Sequence, residues 1–116
     1  MDVPENIKNN QFKYIQALES GMYLQTTGVL KRQRNDGQVC LYCALGLAVL
    51  LTGHDKWDDS DVIEELLEDE YDIDTKHQMA IIHRNDLDSQ SFFEIARYLR
   101  HKWGFENDRR TDRKCQ

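Results

Sequence analysis

Residues 37–53 read GQVCLYCALGLAVLLTG, and this stretch decides the fold. Residues 42–52 would be apolar on nearly every side of a helix, which is typical of a helix surrounded by others. Gly53 is suited to end that helix, because glycine readily adopts the left-handed conformation that follows many helix C-termini. The sequence therefore predicts a buried central helix, around which the other elements are expected to pack.

A β-hairpin is predicted immediately before the central helix. The dipeptide Asp36-Gly37 favours a tight turn, because both residue types tolerate positive φ. Residues 29–32 and 38–41 are the two predicted strands. A two-stranded hairpin is at best marginally stable alone, so this one is expected to lean on the helices.

Helices are also predicted near both ends of the chain. Residues 5–20 have apolar positions near helical spacing, and Pro4 is favourable in a first turn because its missing N–H has no partner there. Ser91 and Glu94 match the capping box S-x-x-E and indicate the start of the last helix.

The middle of the chain contains one clear helix and one ambiguous segment. Residues 60–70 are predicted to form an acidic amphipathic helix, with Asp61 and Glu64 as a capping box. Residues 72–82 are compatible with either a short helix or a strand. The fold predicted from all these elements is α+β: a small, helix-dominated single domain with one β-hairpin packed on the helices.

Chain length and composition indicate a single domain. The 116 residues are enough for one modest core, which is assigned to residues 1–105. Residues 106–116, ENDRRTDRKCQ, have no large apolar side chain and are predicted to be a disordered basic tail.

The sequence favours a cytoplasmic location and no membrane contact. No apolar run approaches the roughly 20 residues that a membrane-spanning helix needs. The N-terminal residues do not have the basic-then-apolar pattern of a signal peptide. Three cysteines cannot all pair within one chain, so reduced thiols are expected.

The charge distribution is strongly uneven. Residues 55–74 carry eleven Asp and Glu against one Lys, within a chain of net charge −6. Such a density of carboxylates favours a partner with a basic surface, since like charges on one helix repel each other. The predicted partner-binding residues are Asp58, Asp59, Asp61, Glu64, Glu65, Glu68 and Asp69.

Cys43 is a candidate nucleophile, although buried packing is the favoured interpretation. A cysteine at a helix N-terminus can have a lowered pKa, and papain-like enzymes combine such a thiol with a later His and an Asn or Asp. The alternative hypothesis is therefore a cysteine-dependent hydrolase that uses Cys43, a later His (His83 in preference to His77), and Asn85 or Asp86. The preferred prediction is that the protein is not an enzyme.

A metal site, a cofactor and direct nucleic-acid binding are not expected. Cys40 and Cys43 have C-x-x-C spacing, which His54 or Cys115 might complete, but a structural zinc site usually shows a second matching pair. The basic tail contains no aromatic residue on which bases could stack.

Several short motifs, in order, resemble an uncharacterised family of small bacteriophage proteins. That family typically shows ALRSGxYxQ, then CCLG, then LND followed by SFxEIA. The corresponding segments here are ALESGMYLQ (residues 17–25), CALG (43–46), ND (85–86) and SFFEIA (91–96). Ala44 stands where the family has a second cysteine.

The resemblance implies a phage origin and no particular activity. By analogy with small phage proteins that act inside the host, we expect an accessory protein that binds and inhibits a bacterial host or defence macromolecule in the host cytoplasm. A further alternative is a protein that sequesters a small ligand. The residues that could line its pocket are Tyr23, Gln25, Lys31, Arg32 and Asn85.

Overall fold

The computed structural model describes residues 3–33, 40–55 and 57–105. The described chain forms five α-helices, one π-helical turn and three short strands. In chain order these are α1 (Glu5–Glu19), β1 (Leu24–Gln25), β2 (Lys31–Gln33), β3 (Cys40–Tyr42), α2 (Ala44–Leu51), α3 (Ser60–Tyr71), α4 (Thr75–Ile82), the π-helical turn (His83–Leu87) and α5 (Phe92–Trp103). The predicted helix-dominated α+β fold is confirmed.

Helix α2 is the buried centre of the molecule. Every residue from Ala44 to Val49 is buried, and α1, α3 and α4 pack around the helix. The hydroxyl groups of Tyr14 and Tyr71 donate hydrogen bonds of 2.6 Å to the carbonyl oxygens of Ala44 and Ala48, respectively. Neighbouring helices therefore attach to the backbone of α2 as well as to its side chains.

Gly46 allows α2 to approach the strand region closely. A Cβ atom at this position would lie only 1.8 Å from the carbonyl oxygen of Leu30. No side chain fits there unless the backbone moves, so glycine is needed for the contact between the central helix and the chain that leads into β2.

The hairpin is confirmed, but it belongs to a three-stranded sheet. β2 pairs antiparallel with β3, with Lys31 opposite Tyr42 and Gln33 opposite Cys40, one or two residues later than the predicted strands. β1 adds to the other side of β3 in parallel, with Leu24 beside Leu41. The predicted turn at Asp36-Gly37 lies outside the described residues, as does the predicted tail at 106–116.

The helix boundaries correct one sequence-based expectation and settle one that was left open. The N-cap of α3 is Asp59, whose side chain accepts a hydrogen bond of 3.2 Å from the N–H of Val62, so the predicted box at Asp61 is wrong. The ambiguous segment contains α4, which begins after Asp74 caps the N–H of His77 at 2.8 Å. The capping box of Ser91 and Glu94 is present as predicted.

The first and last helices are joined directly. Arg100 on α5 donates two hydrogen bonds, of 2.7 and 2.8 Å, to the carboxylate of Glu19 at the end of α1. Bidentate geometry makes this a stronger contact than an ordinary surface ion pair. Within the described chain, no helix combines the length and the apolar character needed to cross a membrane.

Candidate functional site

Helix α3 displays its carboxylates to solvent. We call the following set the acidic surface, and all of its members are exposed: Asp58, Asp59, Asp61, Glu64, Glu65, Glu68 and Asp69. The opposite side of the helix is apolar and buries Ile63, Leu67 and Tyr71 in the core. The amphipathic pattern therefore separates a face that holds the helix in the fold from a face that is available to a partner.

The acidic surface has almost no compensating contacts with residues 3–33, 40–55 and 57–105. Asp59 uses one carboxylate oxygen to cap α3. The other six carboxylates have neither a hydrogen bond nor an ion pair with the residues that the structure describes. Because no described side chain neutralises these six carboxylates, their charge can act on an approaching molecule.

Trp57 lies at the edge of the acidic surface, next to the start of α3. A recess of about 490 Å³ is lined by Trp57, Asp58, Asp59 and their neighbours Asp55 and Ser60. Its combination of an aromatic ring and carboxylates suits a cationic group, because the ring face and the acids attract the same charge.

A lysine of the protein already occupies one side of Trp57. The Nζ atom of Lys31 lies 4.9 Å from the centroid of the Trp57 ring, and Tyr42 packs against the same ring at a centroid distance of 6.1 Å. A second recess, of about 360 Å³, runs from Lys31 to Trp57 and Asp58. Trp57 was not singled out from the sequence, although its position in DKWDD, between acidic residues, was a usable signal.

Cys43 is the N-cap of the central helix. Its Sγ atom accepts a hydrogen bond of 3.3 Å from the N–H of Gly46. The side chain is buried, and burial raises the pKa of the thiol above its usual value despite the N–H groups that favour the thiolate. At neutral pH the group is therefore a thiol, which is a poor nucleophile.

Asn85 sits beside Cys43 as a structural bridge. Its Oδ1 atom accepts hydrogen bonds from the N–H of Ala44 at 3.1 Å and from Nε2 of Gln25 at 2.8 Å. Its Nδ2 group donates to the carbonyl of Thr26 at 2.9 Å and to Oδ1 of Asp86 at 2.7 Å. The side chain is only 1% exposed, so its four bonds are spent on the protein.

The proposed catalytic residues are brought together only in part. Asn85 reaches the residue after Cys43, and the charge of Asp86 is close enough to help raise the pKa of the thiol. His83 instead points to solvent with its side chain 53% exposed, and its Nε2 atom lies 4.0 Å from Asp88. Among the described contacts, no histidine is hydrogen-bonded to Cys43. A base to accept the thiol proton is therefore not in place.

His77, the other candidate base, lies in a different environment. It is buried, and its ring contacts Trp103 and Tyr98 edge-on, with centroid distances of 5.6 and 6.2 Å. Burial, with a smaller contribution from Lys102, lowers the pKa of His77 to about 4.

The residues suggested from the sequence to line one ligand pocket do not share a recess in the structure. Gln25 and Asn85 line one open recess of about 370 Å³, whereas Lys31 lines the recess beside Trp57. The cysteines considered as metal ligands from their spacing, Cys40 and Cys43, are free thiols, and Cys115 lies outside the described residues. No group of three or more potential ligands that could hold a metal ion occurs in the described part of the chain.

The comparison with known proteins assigns no family to this chain. No protein-family model, no curated protein and no solved structure matches this chain.

Proposed function

We propose that this protein is a phage-encoded accessory protein that binds and inhibits a bacterial host or defence macromolecule through its acidic surface. The observation that carries the proposal is that the surface is solvent-exposed while six of its seven carboxylates have no partner within the described chain. The phage origin is supported by the ordered sequence motifs described above.

The arrangement of the charges favours a basic partner. Several carboxylates of α3 are three or four residues apart in sequence, which places their Cβ atoms about 5–6 Å from each other and therefore within the Debye length of about 8 Å at physiological salt. Their mutual repulsion in the free protein is relieved when a cationic surface approaches. The same field accelerates the encounter with such a partner and repels nucleic-acid phosphates.

The recess at Trp57 supplies a place where binding energy can be concentrated. Protein interfaces commonly depend on a few buried anchors, among which Trp and Arg are enriched. An arginine or lysine of the partner would meet the carboxylates of Asp55 and Asp58 and the ring of Trp57 in the same recess. This gives the acidic surface a specific contact in addition to its general charge.

The environment of Cys43 supports a binding function over catalysis. The thiol caps a core helix, its pKa is raised by burial, and no described histidine is hydrogen-bonded to it. Asn85, which a hydrolase would use to orient its base, is already saturated by bonds that hold the fold.

The test is capture of bacterial proteins with two charge variants. Tagged wild-type protein and the double variant Glu65→Lys/Glu68→Lys are incubated with bacterial lysate at low and high salt. We expect one dominant bacterial protein to bind the wild type at low salt and to be lost both at high salt and with the double variant. The purified target is then assayed for loss of activity in the presence of the wild-type protein.

A matched control separates local charge from net charge. The variant Glu5→Lys/Asp88→Lys changes net charge by the same amount at exposed positions outside the acidic surface. We expect it to retain the target. Equal loss with both variants, or undiminished binding by Glu65→Lys/Glu68→Lys, contradicts the assignment of the surface.

A further inference from the structure

A further recess, separate from the acidic surface and from the recesses described above, lies between α4 and α5. It is partly open, has a volume of about 370 Å³, and is walled by two aromatic side chains, Tyr98 and Trp103, together with His77. Two lysines, Lys76 and Lys102, stand at the same recess. This volume falls at the small end of the range of roughly 300–1,000 Å³ that is typical of small-molecule sites.

His77 leaves a polar atom unused in this recess. The residue is only 7% exposed, and its Nε2 atom is buried without a hydrogen-bond partner among the described residues. Buried polar atoms are nearly always paired, because leaving one unpaired costs its full desolvation free energy. An unpaired ring nitrogen beside a recess is therefore a cost that a bound molecule can remove.

The two lysines form no ion pair with the described part of the chain. Neither Lys76 nor Lys102 has a carboxylate oxygen within ion-pair distance in the described chain. The charge of Lys102 is near enough to His77 to help lower its pKa, which places the ammonium group close to the imidazole. The recess therefore offers two free cationic groups next to aromatic rings.

Two carboxylates complete the chemistry of the recess. Asp74 uses one oxygen to cap α4, and Asp72 ends α3 in a left-handed conformation with φ of 58°. Their remaining oxygens can accept hydrogen bonds from hydroxyl or amino groups. A ligand that satisfies the whole recess must carry an anionic group, a flat ring and hydrogen-bond donors.

We propose that the recess between α4 and α5 binds a nucleoside monophosphate, with its phosphate at Lys76 and Lys102 and its base against Trp103. The guanidinium of Arg84 already lies over the ring of Tyr98, 3.7 Å from its centroid, so Tyr98 forms a wall of the recess and Trp103 is the stacking surface. Nucleobases stack on aromatic side chains regardless of base identity, because every base has a π-face. The sugar hydroxyls and base amino groups supply the donors that Asp72 and Asp74 accept. The inference is independent of the proposed inhibitor function, since it uses no residue of the acidic surface.

Trp103 provides a direct measurement. The chain contains two tryptophans, so the variant Trp57→Phe leaves Trp103 as the only one. This variant is titrated with AMP, GMP, CMP and UMP at constant ionic strength, and with inorganic phosphate and adenosine separately. We expect at least one nucleotide to quench Trp103 fluorescence in a saturable manner, at least tenfold more tightly than phosphate or adenosine.

Two variants locate the binding. Lys102→Gln in the same background is expected to weaken nucleotide binding at least tenfold, whereas Lys8→Gln, at an exposed position on α1, is expected to leave it unchanged. In NMR titrations of the imidazole, the pKa of His77 should rise when the nucleotide is bound, because the phosphate offsets the charge of Lys102.

The possible contrary results are distinct. Absence of saturable quenching by any nucleotide overturns the proposal. If inorganic phosphate binds as tightly as the nucleotides, the recess is a simple anion site and the nucleotide proposal is wrong. If adenosine binds as tightly as AMP, Lys76 and Lys102 do not hold a phosphate, and the proposal is also wrong. Unchanged binding by Lys102→Gln, or an unchanged pKa of His77, places the nucleotide elsewhere on the protein. None of these outcomes affects the capture experiment on the acidic surface.

Discussion

Asn85 joins three separate parts of the fold through one side chain. Asn85 lies in the π-helical turn, and its side chain bonds to Ala44 at the start of α2, to Gln25 at the end of β1 and to Thr26 just after it. The π-helical turn, His83–Leu87, is what brings the residue to this position. Such turns are rare and often mark special sites, and here the special task is a buried polar junction.

Removing the Asn85 side chain should destabilise the protein strongly. In Asn85→Ala, the N–H of Ala44 and the carbonyl of Thr26 lose their partners in a buried setting. We expect a loss of about 3 kcal/mol in the free energy of unfolding, measured by urea denaturation. Asn9→Ala, an exposed substitution of the same kind on α1, is the control and should change stability by less than about 0.5 kcal/mol.

The sequence singled out Asn85 and Asp86 for a catalytic role only under the alternative hydrolase hypothesis. In the structure, Asn85 is bonded to residues 41 to 60 positions away. Hydrogen bonds over such separations depend on the tertiary arrangement, so no local pattern reveals them. Cys43 was correctly favoured as a buried thiol, because the apolar stretch after it was visible directly.

Cys43 should react slowly with a thiol reagent. Its pKa is raised by burial, so little thiolate exists near neutral pH. We expect Cys40, which is partly exposed, to be modified first by a chromogenic disulfide reagent at pH 7.5, and Cys43 only as the protein unfolds. The comparison uses Cys43→Ala and Cys40→Ala in a Cys115→Ser background, and rapid labelling of native Cys43 would revive the hydrolase hypothesis.

His77 should make stability depend on pH between about 4 and 6.5. Its pKa falls from 6.5 in the unfolded chain to about 4 in the fold, so unfolding takes up a proton in this interval. The contribution of His77 is therefore complete above pH 6.5 and is lost as the pH falls towards 4. The charged side chains that line the same recess as His77 are Lys76, Lys102, Asp72 and Asp74.

Urea denaturation at pH 7 and pH 5 measures this effect. Between these values we expect wild-type protein to lose about 2 kcal/mol more than His77→Phe, which keeps an aromatic ring but cannot titrate. The variant serves as the reference for all other ionisable groups. A pH dependence that is the same in both proteins would show that His77 is not held neutral by its surroundings.

At the scale of elements, α3 carries the acidic surface, and its start is defined by one capping residue. Asp59→Ala removes the hydrogen bond to the N–H of Val62 and should cost about 1 kcal/mol of unfolding free energy. Asp61→Ala removes a carboxylate of the same type two residues later, inside the helix, and should cost clearly less. Chemical denaturation of the two variants side by side decides between the two cap positions.

The elements differed in how well the sequence predicted them. Helices α1, α2 and α5 were predicted from apolar spacing and caps because those signals are local and span several turns. β1 was missed because two residues show no periodicity, and it becomes a strand only by pairing with Leu41 and Tyr42. The start of α3 at residue 60 was predicted correctly, but its cap was assigned to Asp61 instead of Asp59, because Asp58, Asp59 and Asp61 are all of a residue type that caps helices.

At the scale of the whole molecule, the acidic surface should make stability depend on salt. The six carboxylates without described partners repel each other, and salt screens that repulsion. We expect the melting temperature of the wild type to rise when NaCl is increased from about 20 to about 500 mM, because the Debye length falls about fivefold over this range. Glu65→Lys/Glu68→Lys should show a smaller rise, and an equal rise would mean that the repulsion is not concentrated on α3.

The bidentate contact between Glu19 and Arg100 also bears on how the chain folds while it is being synthesised. The two residues are 81 positions apart in sequence. At roughly 5–20 residues per second, α1 is made about 4 to 16 s before Arg100 exists to meet it. During that interval the apolar side of α1 has no α5 to cover it, so a nascent chain stalled before Arg100 should be a target for chaperones and proteases.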